Sequence, residues 1–173
     1  MANSSVELFR NLGTSGILDN KYLPIVIADN LRTPENMGLV LRLAGNIGAA
    51  TTLFVSNEAS NFKRHKINRT SSGAANKVNW KIIKPNELTK FIPDDYKIIA
   101  LETSNDSNNI FSFRFPDKTA FLVGNEVTGI SEDLLSYAHH KVYIPVPGSI
   151  SSLNVTHALS IGLFEWLRQV ELK

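Results

Sequence analysis

The sequence predicts an α/β fold, with a mostly parallel sheet flanked by helices in a single domain. Three observations predict it. Short apolar runs that stop at polar residues or glycine recur between Leu23 and Pro145, and segments with helix-start signals separate them; such alternation builds parallel sheets. The run Leu23-Pro24-Ile25-Val26-Ile27-Ala28 is apolar throughout, as a strand covered on both faces must be. The chain has 173 residues, 43% of them hydrophobic and 20% charged, enough for one core and too few for two.

Each element follows in order. After the first strand, Thr33-Pro34-Glu35-Asn36 opens a helix, with Thr33 as N-cap and Pro34 in the first position. Leu39, Leu43 and Ile47 follow at four-residue spacing, and Gly48 is the expected stop. Thr51 to Val55 reads as a second strand, and Val78 to Ile83 alternates as a third. Pro85-Asn86-Glu87-Leu88 begins a short helix, and Tyr96 to Leu101 is a strand leading into a polar loop from Glu102 to Asn109. Ala120 to Gly124 is a strand ending on glycine, Ser131 caps a helix through Leu135, and Val142 to Pro145 is the last strand. A final helix runs from about Leu153 to Val170, with Val155, Leu159, Gly162 and Trp166 on one face. Residues 1–22 form a short N-terminal extension and 23–173 the single domain, without repeat, linker or low-complexity tract.

Composition excludes several function classes. Cysteine is absent, so neither a disulfide framework nor a Cys-ligated metal site is possible. No apolar run approaches the roughly 20 residues of a membrane span, and the N-terminus does not read as a signal peptide, so a soluble cytoplasmic protein is expected. His65, His139, His140 and His157 lack metal-ligand spacing, and His157 reads as a structural helix residue. HExxH, GxSxG, GxGxxG and P-loop patterns do not occur, which argues against zinc proteases, serine hydrolases, and dinucleotide and NTP enzymes.

The net charge of +2 conceals an asymmetry. Between Ala59 and Asn86 lie seven cations, Lys63, Arg64, Lys66, Arg69, Lys77, Lys81 and Lys84, and no acid. The rest of the chain carries 11 cations against 16 acids. By itself the block fits a polyanion site and a solvated surface equally.

Three polar clusters stand at expected strand ends or helix starts, where ligands of open parallel sheets bind. They are Asn36-x-Gly38-x-x-x-Arg42; Gly124-Asn125-Glu126 with Gly129; and Ile144-Pro145-Val146-Pro147-Gly148 followed by Ser151-Ser152-Leu153-Asn154. Six residues turn a helix by about 600°, so Asn36 and Arg42 face different ways unless the first turn is irregular. Singly, each has a plain reading: Arg42 as a surface arginine, Gly124-Asn125-Glu126 as a turn, Ser152 and Asn154 as helix caps.

Together, in this order and spacing, the clusters resemble the three motifs of the SpoU/TrmH family of RNA ribose 2′-O-methyltransferases, of the SPOUT superfamily. The first matches as Asn36-Met37-Gly38-Leu39-Val40-Leu41-Arg42-Leu43-Ala44 and the second as Phe121-Leu122-Val123-Gly124-Asn125-Glu126-Val127-Thr128-Gly129-Ile130. The third matches as Val142-Tyr143-Ile144-Pro145-Val146-Pro147-Gly148, then Ser152-Leu153-Asn154-Val155 and Ala158. The similarity covers about residues 23 to 170.

The resemblance implies a C-terminal trefoil knot, a homodimer with its active site near the subunit interface, and S-adenosylmethionine as cofactor without a metal. It implies a cofactor pocket of Leu101, Glu102, Thr103, Gly124, Asn125, Glu126, Ile144, Ser152, Leu153 and Asn154. It also implies Arg42 as the central catalytic residue, with Asn36, Glu126, Ser152 and Asn154 around it. Because a guanidinium stays protonated, electrostatic stabilisation suits an arginine better than the role of base. The expected substrate is tRNA or rRNA, tRNA slightly favoured, with Arg64, Lys66 and Arg69 of the basic stretch on its phosphates. The apolar face of the last helix, Val155, Leu159, Gly162, Leu163 and Trp166, is expected to serve both the core and a partner subunit. Two other readings compete: a knotted RNA-binding module without catalysis, and a small-molecule α/β enzyme. A methyltransferase acting on another RNA is a variant of the first reading.

Overall fold

In the computed structural model, which describes residues 23–57 and 64–171, seven parallel strands form one sheet in the order β3-β2-β1-β6-β4-β7-β5. The strands are β1 Ile25–Asp29, β2 Thr51–Val55, β3 Trp80–Ile83, β4 Lys97–Leu101, β5 Asn108–Asn109, β6 Thr119–Val123 and β7 His140–Tyr143. The helices are α1 Pro34–Ile47, α2 Arg64–Ser71, α3 Glu132–Leu135 and α4 Val155–Glu171, with 3-10 turns at Ala74–Asn76 and Pro85–Lys90. The expected α/β class is therefore what the chain adopts, and β6 inserts between β1 and β4, with Ile25 opposite Ala120 and Lys97 opposite Thr119.

Strand periodicity divides the core in two. Val26, Ala28, Phe54, Ile99, Phe121 and Val123 point to the face covered by α1 and α4. Ile25, Ile27, Leu53, Val55, Ile98, Ala100, Ala120 and Leu122 point to the other, covered by Leu88 and Leu134 from the short elements. Both faces of β1 are thus dry, as its unbroken apolar run requires.

Helix α1 starts and stops where its sequence signals stand. Thr33 is extended (φ −120°, ψ 133°) and its Oγ1 accepts the Asn36 backbone N–H at 3.2 Å. Gly48 ends the helix in the left-handed conformation at φ 73°. The buried face differs from the expected stripe: Met37, Val40, Leu41, Ala44 and Ile47 are in the core, while Leu39 and Leu43 are only partly buried. A strict four-residue spacing drifts by about 40° per step around a helix, which carries those two leucines to the rim.

Other boundaries also shift. Helix α2 lies in the basic stretch, where the sequence predicts no element; Ile67 and Ser71 are its only buried residues, too few to give a periodic signal. Strand β3 begins at Trp80, not Val78, and the polar loop after β4 contains the short edge strand β5. Strand β7 stops at Tyr143, before Pro145, which has no N–H for a ladder. Ser131 precedes α3 as expected, but its side chain makes no capping bond.

The last helix requires a correction. Val155, Leu159, Leu163 and Trp166 are between 0% and 8% exposed, so this face is taken up by the chain's own core. A Cβ at Gly162 would stand 2.9 Å from Leu101 Cδ1 and 3.2 Å from Phe121 Cε1, showing how closely α4 lies on the sheet. The apolar side chain that α4 does expose is Phe164. Among the described residues, no helix is long and apolar enough to cross a membrane. The N-terminal extension 1–22 and Lys63 lie outside the described residues.

Candidate active site

Strands β4, β6 and β7 end side by side, and the loops leaving them enclose a cleft of about 410 Å³. Its walls come from Leu101, Glu102 and Thr103 after β4, Gly124, Asn125, Glu126 and Gly129 after β6, and Ile144, Val146, Ser152 and Leu153 after β7. Nine of the ten expected cofactor residues therefore line one space; Asn154 is the exception. The volume is in the range of small-molecule sites, and aliphatic walls with a few polar groups are their usual lining.

The turn after β6 explains its glycines. Asn125 and Gly129 pair through backbone bonds of 2.9 and 3.0 Å, closing the loop on itself. Any Cβ at Gly124 would lie 2.2 Å from the Gly129 carbonyl carbon, so only glycine fits. Gly129 adopts φ 72°, the left-handed region that favours glycine. The Asn125 side chain accepts from the N–H groups of Val127 and Thr128 and donates to the Asn30 carbonyl at 2.6 Å. Across the cleft, Glu102 accepts from the N–H groups of Thr103 and Ile130, tying the β4 and β6 loops together.

Glu126 links the cleft to α1. Its Oε1 accepts the Asn36 side-chain amide at 2.5 Å and its Oε2 accepts the Arg32 backbone N–H at 3.0 Å. Beneath it, Asp29 is 1% exposed, and its Oδ2 accepts the Ser131 N–H at 2.7 Å while its Oδ1 accepts the Asn30 amide. A buried carboxylate satisfied by such donors fixes the end of β1 against the loop.

Of the expected catalytic residues, Glu126 and Ser152 line the cleft, while Asn36, Arg42 and Asn154 do not. Arg42 is exposed and lines a separate depression with Asn46, Ser71, Ser72, Lys77 and Asn79. That follows from its six-residue separation from Asn36 on α1. Asn154 serves as a cap: its Oδ1 accepts the Thr156 N–H at 2.9 Å and the Thr156 hydroxyl at 2.6 Å. Its carbonyl accepts the Ala158 N–H.

The basic residues separate into two groups. Lys66 and Arg69 both lie 3.6 Å from the Glu35 carboxylate. That carboxyl is held below the usual range, first by its own backbone N–H and then by these cations. Arg64 instead sits over the Trp80 ring, 5.9 Å from its centroid. Near the cleft rim, Asp106 accepts from Ser104 and Lys141, the Ser104 hydroxyl being the larger cause of a carboxyl pKa lowered to about 2. Among the described residues, no group of three or more His, Asp or Glu side chains is arranged to hold a metal ion.

Residues missed in the sequence are mostly those acting through backbone or burial. Asp29, Asn30, Ser131 and the Arg32 N–H organise the site, and Tyr143, Val146, Val155 and Ala158 line it. An aspartate ending an apolar strand was the available signal for the first.

Comparison with known proteins assigns the family. A profile of the SpoU rRNA Methylase family matches residues 24–164. The chain belongs to that family. It is 30% identical over 154 residues to the tRNA (guanosine(18)-2′-O)-methyltransferase of Aquifex aeolicus, covering 86% of this chain and 71% of that one. To the 23S rRNA (uridine(2479)-2′-O)-methyltransferase of Streptomyces viridochromogenes it is 29% identical over 150 residues, 83% of this chain and 52% of that. The SpoU methyltransferase AviRb from Streptomyces viridochromogenes, solved with the cofactor AdoMet, superposes with a TM-score of 0.77 at 25% identity, over 88% of this chain and 60% of that one. The chain thus spans from about half to under three-quarters of these relatives' lengths.

Proposed function

We propose that the protein is an S-adenosylmethionine-dependent RNA methyltransferase that methylates a ribose 2′-hydroxyl in tRNA or rRNA. The observation that carries this reading is the cleft at the ends of β4, β6 and β7, where Glu102, Gly124 and Ile144 converge in a chain of the SpoU family. S-adenosylmethionine is the cofactor of the AviRb neighbour. The cleft suits it: Leu101, Ile144 and Leu153 offer apolar cover for an adenine, loop backbone groups offer polar edges, and Glu102 and Glu126 offer negative charge toward a sulfonium. When bound, the cofactor supplies an already activated methyl group, so no metal is required.

The chain's own residues orient the nucleophile. A ribose hydroxyl is weakly nucleophilic and must be held in line and relieved of its proton. Asn36 and Glu126 form a fixed pair at the α1 side of the cleft, and Ser152 stands on its β7 side. Arg42 lies six residues, about 9 Å, along α1 from Asn36. From its depression it holds an RNA phosphate as the strand runs on toward the cleft. Asn154, with Thr156, fixes the start of α4 and so the position of Ser152 and Leu153.

The same reading includes a homodimer and a trefoil-knotted C-terminal segment, acting on RNA in the cytoplasm. Exposed Val127, Ile150 and Leu153 around the cleft mouth support a partner surface there. Light scattering giving a dimer mass is the expected result. Transfer of labelled methyl from S-adenosylmethionine to RNA tests the activity; mapping 2′-O-methyl sites in tRNA and rRNA from cells with and without the gene identifies the substrate, with a tRNA site slightly favoured. Lack of transfer to either RNA, with RNA binding retained, would leave an RNA-binding module instead.

A further inference from the structure

At the far edge of the sheet from the cleft, β3 has no strand neighbour on its outer side among the described residues. Beside it lies a second open groove of about 530 Å³, lined by Arg64, Asn68, Asn76, Trp80 and Lys81 with Ile67 at its base. Two helical or turn segments and the edge strand build it: α2 supplies Arg64 and Asn68, the Ala74–Asn76 turn supplies Asn76, and β3 supplies Trp80 and Lys81.

The indole is held in place. Its Nε1 donates to the Ala75 carbonyl at 2.9 Å, and its ring meets Phe54 edge-on at 5.8 Å. It is nevertheless partly exposed, and the Arg64 guanidinium rests above it. Lys81, the next residue in the strand, points to the opposite face, where its Nζ stands over the Phe91 ring at 4.7 Å. None of the residues from Arg64 to Asn86 is acidic, so no carboxylate of this segment competes for Arg64. Lys66 and Arg69, by contrast, already face Glu35. A fixed, partly open aromatic ring beside a guanidinium and amide side chains is the chemistry that binds the backbone and stacked bases of RNA.

We infer that this groove is a distal RNA-anchoring site, in which Arg64 contacts a phosphate, Asn68 and Asn76 offer amide hydrogen bonds, and an unpaired base stacks on Trp80. The inference rests on the RNA methyltransferase reading and extends it: the substrate would be gripped at the β3 edge while its target ribose lies at the β4–β7 end of the sheet. Arg64 would leave the ring for a phosphate as the base arrives.

The chain's two tryptophans make the test direct, because Trp166 is 0% exposed and Trp80 is not. Unfractionated tRNA and rRNA fragments are titrated against the full chain while tryptophan emission is followed, and filter binding is measured across salt concentrations. Wild type should show quenching that disappears in Trp80→Phe. The Arg64→Ala variant should bind RNA about fivefold more weakly at 0.1 M salt, with the log–log salt slope reduced by about 0.7 to 0.9. Its calorimetric affinity for S-adenosylmethionine should stay at the wild-type value. Equal quenching in Trp80→Phe, or an unchanged slope in Arg64→Ala with methyl transfer intact in wild type, would overturn the groove and leave the enzyme. Wild type that binds neither RNA at low salt would overturn both.

Discussion

Asn36 and Glu126 stand 90 residues apart in the chain and meet side chain to side chain at 2.5 Å, Glu126 on the wall of the cleft and Asn36 beside it. The contact joins the first helix to the loop after β6, and the Arg32 N–H on the other carboxylate oxygen locks its direction. Both partners are surface groups, so their pairing adds little to stability. Its effect is positional. Glu126→Ala should lower kcat for methyl transfer by about 100-fold, the order expected when a reacting group loses its alignment, with melting temperature within a few degrees of wild type. Near wild-type turnover in a labelled-methyl assay would remove the pair from the reaction.

Arg42→Ala separates catalysis from cofactor binding. Because Arg42 lines a depression apart from the cleft, calorimetry should find S-adenosylmethionine affinity unchanged while transfer to RNA is abolished. Arg42→Lys should restore little, since a point charge does not replace a planar fork on a phosphate.

Gly38 is set by helix packing. A Cβ there would stand 1.9 Å from Thr70 Oγ1 and 2.5 Å from the Ile67 carbonyl oxygen, where α2 crosses α1. The Thr70 hydroxyl also donates to the Glu35 carbonyl across that crossing. Gly38→Ala should destabilise by about 1–3 kcal/mol in a denaturant titration, as overpacking does, and weaken RNA binding by displacing α2.

His139 gives the fold a pH dependence of known sign. Its Nδ1 accepts the Ile98 N–H at 3.1 Å, and burial, followed by Lys97 and His140, lowers its pKa from the ordinary 6.5. The unfolded chain therefore takes up that proton more readily, so stability is full above about pH 6.5 and declines as the pH falls below it. Thermal melts from pH 7.5 to 5 should show the decline, and His139→Ala should flatten it; an equal decline in the variant would assign it elsewhere.

Local signals made the fold legible where one residue determines one conformation: Thr33 and Gly48 bound α1, and the unbroken run from Leu23 to Ala28 identified a strand dry on both faces. Helix α2 was hidden because its buried surface is little more than Ile67, and its helicity depends on packing against α1. Strand β5 was hidden because two asparagines at an edge need no apolar pattern. In the site, Gly124, Asn125 and Glu126 were readable as a motif. The Asp29–Ser131 and Glu126–Arg32 bonds were not, since each ends on a backbone N–H whose position only the tertiary fold determines.

Placing β6 between β1 and β4 also shapes how the chain is made. Until Thr119–Val123 emerges, the edge of β1 that will face Ala120 has nothing to pair with. At translation rates of about 5–20 residues per second, that edge waits roughly 5–20 s on the ribosome. Premature termination anywhere before β6 leaves a sheet with an apolar open edge, which is an aggregation template rather than a smaller enzyme. Quality control of this protein therefore depends on the last third of its message being read.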